Sequence, residues 1–119
     1  MGARGGFTPD IDGWLFTPKA AVPNNTTTTI LGVAAASPTV ATVKYGGKAR
    51  GVLISVAPVA SVDVKLDDNV VWTIPIGAIP GFYPLGDVDF TTSVKLTTNG
   101  ADTTGYYSFV YNPYYSPVS

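Results

Sequence analysis

The chain has 119 residues, eight acids against seven bases, and no Cys or His; all eight acids are Asp, because Glu and Gln are missing as well. This length fits one domain with a real core, and the missing residue types exclude disulfides, thiolate or imidazole metal sites and the usual Cys or His catalytic groups. Charged residues make up 13% of the chain, about half the roughly 25% of an ordinary soluble domain, and a net charge of −1 offers no basic face for nucleic acid.

Residues 1–25 hold Gly at 2, 5, 6 and 13 and Pro at 9, 18 and 23. The apolar side chains Phe7, Ile11, Trp14, Leu15 and Phe16 follow no sustained period, so the segment is expected to be an extended N-terminal arm. It lacks the apolar run of a signal peptide, and the longest apolar stretch, 30–36, is far short of the roughly 18 residues that span a bilayer. The expectation is a chain made in the cytoplasm, with no membrane partner.

Residues 26–111 read as strands throughout. Segments over 26–35, 39–45 and 50–57 are rich in β-branched residues. Lys44, Lys48 and Arg50 cluster around Gly46-Gly47, which reads as a solvated hairpin tip. Over 61–66, Val62, Val64 and Leu66 alternate with Asp63 and Lys65, the period-2 pattern of a half-buried strand. Asp67-Asp68-Asn69 supplies a turn, and 70–74 returns with Val70, Trp72 and Ile74 on one face.

Next comes a loop over 75–87 with three Pro and three Gly. Its apolar side chains Ile76, Ile79, Phe82, Tyr83 and Leu85 mark it as a contact surface, because loops longer than about 12 residues are uncommon unless functional. Segments 88–91 and 93–98 follow, the second alternating Val94, Leu96 and Thr98 with Lys95 and Thr97. Asn99-Gly100 starts a turn, and 105–111 places Tyr107, Phe109 and Tyr111 opposite Tyr106, Ser108 and Val110. Residues 112–119 form a short tail that its two prolines keep out of a helix or central strand.

About eight short strands at roughly ten-residue spacing predict an all-β fold: a single antiparallel β-sandwich, jelly-roll-like, with an extended arm and a short tail. The acidic pairs Asp10/Asp12, Asp67/Asp68 and Asp87/Asp89 read as turn and strand-end residues rather than cation sites, since the rest of a calcium loop is absent. No nucleophile motif or phosphate loop occurs. The expectation is therefore a non-enzyme without cofactor or metal. Residues expected to contact other chains are Phe7, Trp14 and Phe16 in the arm, Ile76, Ile79, Phe82 and Tyr83 in the loop, and Tyr114 and Tyr115 in the tail. Tyrosine suits such contacts because its ring is apolar while its tip stays hydrogen-bonded.

From Gly51 to Tyr111 the layout resembles small decoration or cement proteins of tailed-bacteriophage virions. It runs Val-Asp-Val-Lys-Leu-Asp-Asp-Asn (62–69), a Pro/Gly loop, Asp-Val-Asp-Phe (87–90), Ser-Val-Lys-Leu-Thr-Thr-Asn-Gly (93–100) and a Tyr-rich last strand. The resemblance implies a β-sandwich that sits on an assembled capsid as a homo-oligomer, with a trimer the expected copy number and the major capsid protein or other virion proteins as partners. It implies no catalytic residues. A receptor- or carbohydrate-binding module of a tail or fibre is the alternative.

Overall fold

The computed structural model describes residues 14–33, 40–43 and 46–113. They form β1 (Leu15–Phe16), β2 (Ala20–Val22), β3 (Thr27–Val33), β4 (Ala41–Val43), β5 (Gly47–Ile54), β6 (Val62–Leu66), β7 (Asn69–Ile74), β8 (Gly81–Phe90), β9 (Ser93–Thr98) and β10 (Thr103–Pro113). One five-stranded sheet has the order β1-β10-β5-β8, with β2 also on β10. The other has the order β4-β3-β9-β6-β7. The two form an all-β, sandwich-like globule. The expected antiparallel pairing holds for every pair except β3 and β4, which run parallel. Most connections pass from one sheet to the other; β6 and β7 form a hairpin within one sheet.

The core sits where period-2 patterns face each other. Val62, Val64 and Leu66 of β6 are buried, as are Val94, Leu96 and Thr98 of β9. From the opposite sheet, Val52 and Ile54 of β5 and Tyr107, Phe109 and Tyr111 of β10 meet them. Each fully buried side chain of this size contributes about 1.5–3 kcal/mol. Burial pushes the Tyr107 and Tyr111 phenols above their ordinary pKa. The Tyr107 hydroxyl lies near Thr103 but makes no well-formed hydrogen bond among the described residues. Tyr107→Phe should therefore leave the urea midpoint unchanged or raise it, since only an unpaired polar atom is removed.

The structure corrects five local expectations. The segment read as an arm supplies two strands that run one after the other along the edge of β10. Between them, Thr17 N donates to Phe109 O (2.9 Å) and Phe109 N donates to Thr17 Oγ1 (2.8 Å), so a side chain patches the ladder where Pro18 interrupts it. Thr17, Ala20 and Val22 are buried there.

The second correction concerns the expected 75–87 loop, which ends at Pro80; the rest belongs to β8. The breakers are accommodated because β8 is an edge strand, where Pro is tolerated, and because a bulge takes up Gly86 (φ 86°) and Asp87 (φ 55°).

On β7, Val64 pairs with Trp72 but Lys65 pairs with Val70, leaving Val71 as an extra residue. That bulge turns Val70 outward and leaves Ile74 as the buried member of the expected face. Finally, Gly46 and Gly47 are not a solvated tip. Both are buried, and Gly47 opens β5 between Phe90 of β8 and Pro113 of β10. The same register draws Asn112 and Pro113, expected in the tail, into β10, where they pair with Lys48 and Gly47.

Candidate interaction surface

Two loops meet at one end of the sandwich, the 55–61 connection and the 75–80 connection. Gly77 N donates to Pro58 O (2.9 Å) and ties them together, while Ala78 N donates to Pro75 O (3.2 Å) and closes a turn. That turn requires Gly77 at φ 75°. The Tyr83 hydroxyl donates to Ile79 O, and Asn99 N donates to Ser61 O. Pro58, Pro75 and Pro80 have no N–H to satisfy. Ala60 and Ala78 are buried and anchor the two loops. This backbone presents Val56, Val59 (60% exposed), Ile76 (68%) and Ile79 (78%) to solvent.

No charged residue occurs over 51–62 or 69–86. The ion pairs Lys48–Asp89 (2.8 Å), Arg50–Asp87 (3.1 Å) and Lys95–Asp68 (2.7 Å) lie toward the opposite end, where β5 and β9 begin and β8 ends. Among the described residues the three ion pairs thus gather toward one end, and the two connections form an apolar patch at the other, beside the turn that carries Asp102. Exposed ion pairs of this kind add about 0–1 kcal/mol each to stability.

The outer face of the first sheet adds a second apolar area. Phe16, Val110, Gly51 and Pro84 stand in one row across β1, β10, β5 and β8. The Phe82 ring lies over Gly51, where a Cβ would fall 2.5 Å from its Cζ. The Trp14 ring supports the Arg50 guanidinium, 3.9 Å from the ring centroid, a cation–π contact.

Of the expected contact residues, Ile76 and Ile79 are at the apolar end, Phe16 and Phe82 belong to the first sheet, and Trp14 immediately precedes β1. Phe16 is 64% exposed and Phe82 45%. Tyr83 differs: it is half-buried and its ring packs on Trp72 across the gap between sheets, 5.4 Å between centroids. Phe7, Tyr114 and Tyr115 lie outside the described residues, as do Asp10 and Asp12. Val56, Val70 and Val71 are exposed residues that pattern reading assigned to strands, and exposed Val59 lay between two of them. The signal that could have found them is the absence of charge around them.

The acids among the described residues are all engaged. Asp63 accepts from Thr73 Oγ1, Asp102 from Asn24 N, and Asp68, Asp87 and Asp89 from the cations just named. Asp67 is the most tightly held. Its carboxylate accepts from Thr91 N, Thr92 N, Ser93 N and Thr91 Oγ1 at 2.6–3.1 Å. Burial pulls its pKa up, but these donors outweigh burial and hold it below the ordinary carboxylate value. Comparisons of the chain with family models, with curated proteins and with solved structures returned no match.

Proposed function

We propose that this chain is a structural protein of a virion, a capsid decoration or cement protein that stabilises an assembled shell as a homo-oligomer. The observation that carries the reading is the apolar end: four branched aliphatic side chains held outward by hydrogen-bonded, proline-rich loops. Such a surface is preorganised for contact and costs little ordering entropy on binding. A fixed, uncharged patch suits a static neighbour in a lattice. A jelly-roll-like strand order belongs to the same reading, supported by connections that repeatedly cross between the sheets. The proposed setting is the virion, with assembly in the host cytoplasm.

The test is cosedimentation with assembled shells and with free shell subunits of the source particle. The expected result is binding to shells alone. Replacing Ile76 and Ile79 together by Ser should weaken shell binding about a hundredfold, since buried apolar anchors dominate interface energy. The same variant should keep the thermal midpoint of the isolated chain, because both side chains already face solvent. A wild-type chain that ignores shells, or a double variant that binds as well as wild type, would overturn the proposal.

A further inference from the structure

Among the described residues, each sheet of the sandwich ends in strands whose outer edge pairs with no further strand, and such edges are templates for pairing with another chain unless blunted. On the first sheet, β1 and β2 are two and three residues long, and β8 carries Pro84, Asp87, Asp89 and a bulge with left-handed backbone at Gly86 and Asp87. On the second sheet, β4 is three residues long. β7 is the exception. It has six residues, Asn-Val-Val-Trp-Thr-Ile, with neither charge nor proline. Its one irregularity, the extra residue Val71, adopts no positive φ, and Asn69–Ile74 remains one continuous strand. Val70 (54% exposed) and Val71 (44%) stand along this edge, which runs directly into the apolar connection with Ile76 and Ile79.

We infer that β7 pairs antiparallel with β7 of a second copy of this chain about a two-fold axis, joining two five-stranded sheets into one of ten strands. A second copy is the fitting occupant because a two-fold contact places the same strand on both sides. Self-pairing opposes like charges on a charged strand, a destabilising arrangement; β7 has none to oppose. β-branched and aromatic side chains then meet across the new pair, the combination that stabilises antiparallel neighbours. This contact rests on the assembly reading above and names the dimer as its unit, in place of the trimer expected from the resemblance.

The experiment measures molar mass by light scattering across a micromolar dilution series, with hydrogen exchange of the β7 amides. The wild-type chain is expected at twice the chain mass, with β7 amides as protected as those of β9. Val71→Lys and, separately, Val70→Lys should give the single chain mass and fast exchange confined to β7, while circular dichroism and melting remain those of a folded sandwich. A wild-type monomer, a trimer, or a dimer that survives both lysine variants while folded would overturn the inference. Because the isolated chain is used, these outcomes are read independently of shell binding.

Discussion

Replacing Asp67 by Ala should destabilise the sandwich by about 3 kcal/mol, read as a lowered urea midpoint at an unchanged slope. The effect has two parts. Asp67 sits at φ 53° in the β6–β7 turn, a left-handed conformation that costs an ordinary residue roughly 1 kcal/mol and that Asp and Asn tolerate. Its carboxylate also gathers three consecutive backbone N–H groups and the Thr91 hydroxyl, so one turn holds the other closed between β8 and β9. The backbone N–H of Asp67 donates back to Ser93 O at 2.9 Å.

Two further substitutions separate the parts. Asp67→Gly keeps the left-handed backbone and loses the acceptor. Asp67→Asn keeps the backbone and one acceptor oxygen but loses the charge. The expected order of stability is wild type, Asn, Gly, Ala. If Ala were as stable as wild type, the clamp would carry no weight.

The same carboxylate sets an acid limb. Its folded pKa is depressed, so its contribution is complete above the unfolded value of about 3.9 and is lost as pH falls through the folded value. Stability should therefore decline below about pH 4, and Asp67→Asn should show a shallower decline over that range.

Pattern reading was sufficient wherever a strand alternated without interruption and faced the core. β6 and β9 are the clearest cases, because one buried face demands one register. It was insufficient where a single extra residue reversed a face, as at Val71, since a bulge leaves no mark in the alternation. It also failed where tertiary context rescued sequence breakers. Pro84 and Gly86 look like loop residues, yet an edge position and a bulge accommodate both. β1 and β2 are too short to show a period; they exist because β10 offers an open edge and Thr17 bridges the gap. Of the contact surface, Ile76 and Ile79 were legible because apolar residues crowd a Pro/Gly stretch. The Asp67 clamp was not, because its donors lie 24 to 26 residues away in sequence.

Gly47→Ala should be as disruptive as the loss of that clamp, although it adds a single methyl group. Gly47 is not at positive φ, so an alanine backbone is allowed there and the cost is purely one of space. A Cβ at this position would collide with the Asn112 carbonyl oxygen and lie 2.9 Å from Pro113 Cα. Both atoms are backbone of β10, so no side chain can swing aside. β5 and β10 would have to separate at the end where Gly47 pairs with Pro113 and Phe90. Phe90 is fully buried there, so separation would also open the core around its ring. Overpacking of this kind costs about 3 kcal/mol. Gly100→Ala is the matched control: its Cβ would meet only the Ala60 methyl, at 3.4 Å. It should shift the urea midpoint little. Equal midpoints for the two variants would mean that β5 and β10 do not approach as closely as the Gly47–Pro113 register requires.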